Sequence, residues 1–165
     1  MAGSQPMIST KVAREKIRRI SILVIDHNTY MRRVTRTMLV NLGAKMVHEA
    51  ADGLAALEII RNQDPDVVLL ERDIPILSGP ELLRIVRSPD LFPRPNLPVI
   101  MLTKDAQRVH IAEALRLGAN EVLIKPTSPK ALQDRLLSVL ANPRPMVQIG
   151  EHYVPEPRAG AAAAL

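Results

Sequence analysis

Four side chains with complementary chemistry stand at the ends of four apolar segments of the sequence. Asp26 and Glu71 end the first and third segments, whereas Thr103 and Lys125 follow the fourth and fifth. In a parallel sheet the carboxyl ends of the strands meet at one edge, which is where ligands bind. Carboxylates act as nucleophiles or cation ligands, and lysine and hydroxyl groups bind anionic oxygens. This edge is therefore the predicted functional site.

The segments that must position these residues alternate between two hydrophobic patterns. Short, continuous runs of Val, Ile and Leu are typical of strands buried on both faces. They occupy residues 20–26, 45–49, 66–71, 98–102 and 121–124. Stretches with apolar residues at helical spacing lie at 29–42, 54–61, 81–87, 106–117 and 129–140. Five strands alternating with five helices predict an α/β fold with a parallel sheet.

The composition excludes several classes of function. The 165 residues include no cysteine and three aromatic side chains. A disulfide framework, a thiolate zinc site and a cysteine nucleophile are therefore excluded, and base stacking on aromatic residues is disfavoured. No apolar run approaches the length of a membrane span, and the amino terminus lacks the apolar region of a signal peptide. We expect a cytoplasmic protein.

Charge and proline content divide the chain into three parts. Residues 1–19 form a basic leader, and residues 1–20 hold five basic side chains against Glu15. This leader is either a solvated segment or a contact for an acidic partner, a membrane or a nucleic acid. Residues 20–141 form the predicted domain. Residues 142–165, rich in Pro and Ala, are predicted to be a flexible tail. The tail is neither long nor basic enough for a DNA-binding domain.

The residues of the predicted site resemble those of a response-regulator receiver domain of the chemotaxis-regulator type. The resemblance covers about residues 20–140. It includes ILVID at 22–26 followed by MRR at 31–33, Glu71 four residues before Pro75, PVIMLT at 98–103, and Ala114-x-x-x-Gly118. The paired Lys125-Pro126 completes it. The resemblance implies a doubly wound (βα)5, flavodoxin-like fold with sheet order 2-1-3-4-5. It also implies a cis bond before Pro126 and a signalling role without enzymatic activity.

The sequence departs from the family pattern at several positions of the site. His27 replaces the second of two adjacent acids, the one that binds Mg²⁺ in the family, while Asp26 matches the first. Glu71 stands where the family phosphorylates an Asp. Asp73 adds an acid to the pocket, although it follows the acceptor position by two residues and suits a turn. Val122 occupies a switch position that is often aromatic, whereas Thr103 and Lys125 match the family.

The two substitutions at His27 and Glu71 act on the same reaction. Mg²⁺ prefers near-octahedral oxygen ligands, whereas imidazole suits later transition metals. A Glu carboxylate also lies one methylene further from the backbone, and a misplacement of about 1 Å can cost roughly 10²-fold in rate. We therefore predict that phosphorylation is lost, that Mg²⁺ binding is weak or lost, and that no other cofactor is used.

Two interpretations remain open for each of these residues. Glu71 is either a spent site or a carboxylate that reaches towards Thr103 and Lys125 and holds the domain in an activated-like state. His27 is either an exposed residue at a strand end or an imidazolium that replaces the metal beside Asp26 and Glu71.

We therefore expect a stand-alone, phosphorylation-independent receiver that acts by binding a signalling partner. The resemblance places the partner surface at about residues 106–140. The alternative is a phosphorelay component that still takes a phosphoryl group from a histidine kinase. A nucleotide-dependent enzyme is disfavoured, because the sequence has neither a dinucleotide-binding glycine motif nor a phosphate-binding loop.

Overall fold

A computed structural model describes residues 9–92, 94–141 and 143–156 of the chain. The helices are α1 Thr10–Arg18, α2 Thr29–Asn41, α3 Gly53–Gln63, α4 Gly79–Arg87, α5 Arg108–Arg116 and α6 Pro129–Ala141. The strands are β1 Ser21–Ile25, β2 Met46–Ala50, β3 Val67–Glu71, β4 Val99–Thr103, β5 Glu121–Ile124, β6 Met146–Ile149 and β7 His152–Pro155. Within this part of the chain, no helix is both long enough and apolar enough to span a membrane.

Strands β1 to β5 form a parallel sheet in the order β2-β1-β3-β4-β5. This order confirms the predicted doubly wound topology. The three inner strands β1, β3 and β4 are buried along their whole length, as their continuous apolar sequences require. Alternate residues of β1 point to opposite faces, so Leu23 and Ile25 belong to one hydrophobic cluster and Ile22 and Val24 to the other.

The helices cover both faces of the sheet. Helices α3, α4 and α5 contribute buried residues to the cluster around Leu23, whereas α1, α2 and α6 contribute to the cluster around Ile22. Side-chain caps fix where several helices begin: Asn28 accepts from the N–H of Met31, Asp52 from Ala55, and Ser78 from Glu81. These caps place each helix directly after a loop at the carboxyl edge of the sheet.

Arg87 is a fully buried cation that ties α4 to the strands carrying the site. Its guanidinium donates to the carbonyl oxygens of Gly118, Pro95 and Leu97 and to the side-chain oxygen of Asn120, at 2.6–2.9 Å. Burial lowers the pKa of Arg87 to about 9, and the four oxygen acceptors offset that penalty by stabilising the charged form. Asn120 also accepts from the N–H of Val99, so one network fixes the amino ends of β4 and β5.

The leader is not a separate solvated segment in the part that the structure describes. Residues Thr10–Arg18 form helix α1, and Ala13 and Ile17 are buried against the sheet and α6. These two residues are four positions apart and therefore share one face of the helix. The domain thus includes a helix before residue 20, and the prediction for residues 1–8 lies outside the described residues.

The tail prediction is also wrong for residues 143–156. Strands β6 and β7 pair antiparallel around Gly150 and Glu151, and Gly150 has the positive φ of 63° that such tight turns favour. The hairpin packs against α4, with Val154 buried, and Arg144 donates to the carbonyl of Asn120. Residues 142 and 157–165 lie outside the described residues.

Docking of this hairpin predicts that its removal destabilises the domain. We expect a chain truncated after Ala141 to melt about 4 °C or more below one truncated after Glu156, because one or two kcal/mol of packing shifts the midpoint by about that much at this size. Differential scanning calorimetry of the two truncations isolates the contribution of the hairpin. Equal midpoints would contradict the docking.

Candidate functional site at the carboxyl edge of the sheet

The fold brings the predicted site residues to one edge of the sheet. Asp26 directly follows β1, Glu71 ends β3, Thr103 ends β4, and Lys125 directly follows β5. Asp26, Glu71 and Thr103 are each at most 4% exposed. Because the strands are parallel and in register, these positions lie side by side across four consecutive strands of the sheet, β1, β3, β4 and β5.

Lys125 bridges the two carboxylates. Its ammonium nitrogen lies 2.8 Å from Asp26 Oδ2 and 3.2 Å from Glu71 Oε1, and its side chain is 6% exposed. The main-chain N–H of Lys125 donates to the carbonyl of Thr103, which fixes the start of the side chain. The bond to Pro126 is cis, as the family resemblance implies.

His27 contacts the other oxygen of Glu71. Its Nδ1 lies 2.7 Å from Glu71 Oε2, and its main-chain N–H donates to the same oxygen over 3.2 Å. A carboxylate only accepts, so the ring nitrogen in this contact carries the proton. The imidazole is nevertheless 45% exposed. His27 is thus partly exposed at the strand end and also contacts the acid.

Asp26 is held in its charged form by a donor on each of its two carboxylate oxygens. Burial alone raises the pKa of Asp26, but hydrogen bonds from Lys125 and from the N–H of Asn28, together with the Lys125 charge, lower it below its ordinary value. In addition, Arg32 donates to the carbonyl oxygen of Asp26. The residue is therefore fixed through both its main chain and its side chain.

Three other predicted residues lie outside the contacts that join Asp26, His27, Glu71 and Lys125. The Thr103 hydroxyl accepts from the N–H of Asp105. Among the described residues, the carboxylate of Glu71 contacts Lys125 and His27 rather than Thr103. Val122 is half-buried and packs against the core. Asp73 is exposed in the loop after β3 and takes no part in the cluster. This place suits the turn residue that its spacing after Glu71 indicated.

Sequence reasoning missed a set of charged contacts beside the site. Asp105 lies 2.5 Å from Nδ1 of His110 on α5, and Arg72 lies 3.3 Å from Glu113 on the same helix. A hydrogen bond from the N–H of Gln107, followed by the His110 contact, lowers the pKa of Asp105. The Asp-x-Gln spacing before a helix was the available signal, since Asp often accepts from the N–H two residues on. These contacts join α5 to the loops that follow Glu71 and Thr103.

Asp26, His27 and Glu71 are close enough to share a cation. Each offers one ligand atom, and these atoms lie within 4.8 Å of one another. Only two of the three donors are oxygens, however, and both oxygens of Glu71 already contact Lys125 or His27. Mg²⁺ requires oxygen ligands in near-octahedral geometry, so this donor set fits Mg²⁺ poorly.

Comparison with known proteins identifies the family. Residues 22–137 match the response regulator receiver domain. The chain is 34% identical to chemotaxis protein CheY-3 of Vibrio cholerae over 117 residues, which are 71% of this chain and 88% of the relative. It is 33% identical to chemotaxis protein CheY1 of Helicobacter pylori over 122 residues, 73% of this chain and 97% of the relative. The chain belongs to the receiver domains of response regulators, which act in two-component signalling.

Solved structures agree with this assignment. A putative response regulator from Chloroflexus aurantiacus superposes with a TM-score of 0.68 at 27% identity, covering 74% of this chain and 98% of that one. Chemotaxis protein CheY4 of Vibrio cholerae gives 0.65 at 28% identity, covering 73% and 98%. The five-stranded sheet and its flanking helices are therefore those of a CheY-like receiver.

The lowered pKa of Asp26 predicts an acid-sensitive contribution to stability. A folded pKa below the unfolded value of 3.8 means that this contribution is fully present above pH 3.8 and is lost as the pH falls through the folded pKa. We therefore expect the difference in free energy of unfolding between wild type and Asp26→Asn to shrink as the pH falls below about 4. Urea titrations from neutral to acidic pH measure it. A difference that is constant across this range would contradict the assignment.

Proposed function

We propose that this receiver regulates a signalling partner by binding it, without being phosphorylated. The observation that carries the proposal is the state of Glu71, whose two carboxylate oxygens contact Lys125 and His27. A carboxylate that accepts a phosphoryl group needs a free oxygen in line with the phosphorus atom and a cation for the phosphoryl oxygens. Here both oxygens of Glu71 are engaged within the chain.

Loss of Mg²⁺ binding is part of this proposal. The position that would supply a second acid is His27, whose Nδ1 is turned towards Glu71. A cation at this site would lie beside the ammonium group of Lys125, which is within 3.2 Å of both Asp26 and Glu71. The ammonium group of Lys125 then takes the electrostatic place of a metal and stabilises one arrangement of the site.

The partner surface that we propose comprises residues 106–140, that is, α5, β5 and α6. Val109 and Ile124 expose 59% and 37% of their surface there, and Arg108 is also exposed. Helix α5 is joined to the site through the contact between Arg72 and Glu113. A fixed site would therefore present α5 in one arrangement. We propose a signalling protein of the cytoplasm as the partner, and no catalytic role for the receiver itself.

Intact-mass measurement after incubation with acetyl phosphate and Mg²⁺ tests the proposal. We expect no phosphoryl adduct on the wild type or on Glu71→Asp, because His27 still occupies the position of the second acid. The double variant Glu71→Asp with His27→Asp restores a short acceptor and an oxygen ligand, and should gain one phosphoryl group. Glu71→Asp with Asp73→Asn is the matched control, because Asp73 is exposed and outside the cluster.

Two outcomes would contradict the proposal. A stoichiometric adduct on wild-type Glu71 would instead support the alternative, a phosphorelay component that is still modified by a histidine kinase. An adduct on Glu71→Asp alone would show that His27 does not hinder the reaction.

A further inference from the structure

The positive charge of the chain is concentrated in one region of the fold. Residues 9–50 hold nine Lys and Arg against three Asp and Glu, whereas residues 51–156 hold twelve against fourteen. The first range comprises α1, β1, α2 and β2. Helices α1 and α2 pack on the same face of the sheet, so the excess charge is gathered in space as well as in sequence.

The cations of α1 meet the end of α2. Ala13 and Ile17 face the core, so the stripe Lys11, Arg14 and Arg18 at i, i+3 and i+7 lies exposed to solvent. Arg14 donates to the carbonyl of Asn41, the last residue of α2, over 2.7 Å. The two helices therefore share one continuous surface at this end.

The loop after α2 fits closely against α1. Gly43 has a φ of +113°, and a Cβ there would lie 3.1 Å from the carbonyl oxygen of Arg14. Lys45 and Met46 follow after one further residue and are exposed where β2 begins. We name the surface formed by Lys11, Arg14, Val40, Lys45 and Met46 the basic end.

Nearby acids leave most of this charge uncompensated. Glu15 lies 3.6 Å and 3.9 Å from the guanidinium groups of Arg18 and Arg19, and all three side chains are about half exposed or more. Glu49 forms ion pairs with Arg32 and Arg36, which lie nearer the start of α2.

The third acid of this region, Asp26, is buried and bound to Lys125. Lys11 and Lys45 have no ion pair with any residue that the structure describes.

Aliphatic side chains are exposed among these cations. Val40 is 48% exposed and Met46 is 49% exposed, and Val12 on α1 is 45% exposed. Exposed aliphatic side chains add little to the binding of a nucleic-acid backbone. The basic end, as defined, also has no aromatic side chain on which a base could stack. A membrane interface accepts both kinds of side chain, because cations attract anionic headgroups and aliphatic groups enter the boundary beneath them.

We propose that the basic end is a peripheral docking surface for an anionic lipid bilayer. It lies where β2 begins, at the amino edge of the sheet, whereas Asp26, Glu71 and Lys125 lie at the carboxyl edge. A receiver docked in this way keeps its site and the surface at residues 106–140 open to a protein partner. The proposal does not depend on the phosphorylation state of the receiver.

Vesicle co-sedimentation of the full chain tests this proposal. We expect binding to phosphatidylcholine vesicles that contain about one third phosphatidylglycerol, no binding to pure phosphatidylcholine, and loss of binding as salt rises from about 0.1 M to about 1 M. Lys11→Gln with Lys45→Gln should weaken binding about 25-fold, since each cation near the surface contributes about fivefold. Both side chains are exposed, so circular dichroism should show an unchanged fold.

The matched control is Arg61→Gln with Arg84→Gln, which removes the same charge from exposed positions of α3 and α4 on the other face of the sheet. This control should bind as the wild type does. Absence of binding to anionic vesicles, or an equal loss in the two double variants, would overturn the proposal. Tighter binding to a short DNA duplex than to the vesicles would also overturn it and assign the surface to nucleic acid.

Discussion

The bridge from Lys125 to Asp26 and Glu71 is the interaction on which the site depends. It joins three residues that lie far apart in the sequence, at the ends of β1, β3 and β5, and all three side chains are almost completely buried. A buried charge is costly without a partner, and removing one member of such a group leaves the others uncompensated at a cost of about 3–5 kcal/mol. Replacing the whole group by apolar side chains, in contrast, need not lower the stability of the fold. We therefore regard the bridge as a constraint on how the carboxyl edge is arranged, rather than as a main source of stability.

This constraint links the chemistry of the site to the surfaces around it. Glu71 has one oxygen on Lys125 and the other on His27, so the atoms that would receive a phosphoryl group are engaged within the chain. The neighbouring residue Arg72 contacts Glu113 of α5. Through this contact, the arrangement of the carboxyl edge is linked to α5, which we propose as part of the partner surface. The basic end is remote from these contacts and depends on none of them.

The sequence predicted the sheet and the edge because both follow from local signals. Continuous apolar segments defined buried strands, and the residues after them had to meet wherever parallel strands end. Helix α1 and the hairpin were missed for a different reason. Ala13 and Ile17 are two apolar residues within a charged segment, and Val154 lies among prolines, so the burial of these residues depends on surfaces made by α6 and α4. Tertiary packing therefore stabilises both helix α1 and the hairpin, although the composition of these segments did not indicate ordered structure.

Side-chain contacts within the site were only partly accessible from the sequence. Spacing placed Lys125 beside the two acids, but it did not determine that His27 turns towards Glu71 or that the Thr103 hydroxyl accepts from Asp105. Those choices depend on side-chain rotamers and on the loops that follow β1 and β4. They required the three-dimensional arrangement of the loops.

A double-mutant cycle between Lys125 and Glu71 tests the central claim most directly. The free energies of unfolding of the wild type, Lys125→Met, Glu71→Gln and the double variant give the coupling between the two side chains. A buried contact predicts a favourable coupling of about 1–3 kcal/mol, so the double variant should be less destabilised than the sum of the single variants. Additivity within about 0.3 kcal/mol would show that Lys125 does not hold Glu71, and would contradict the account.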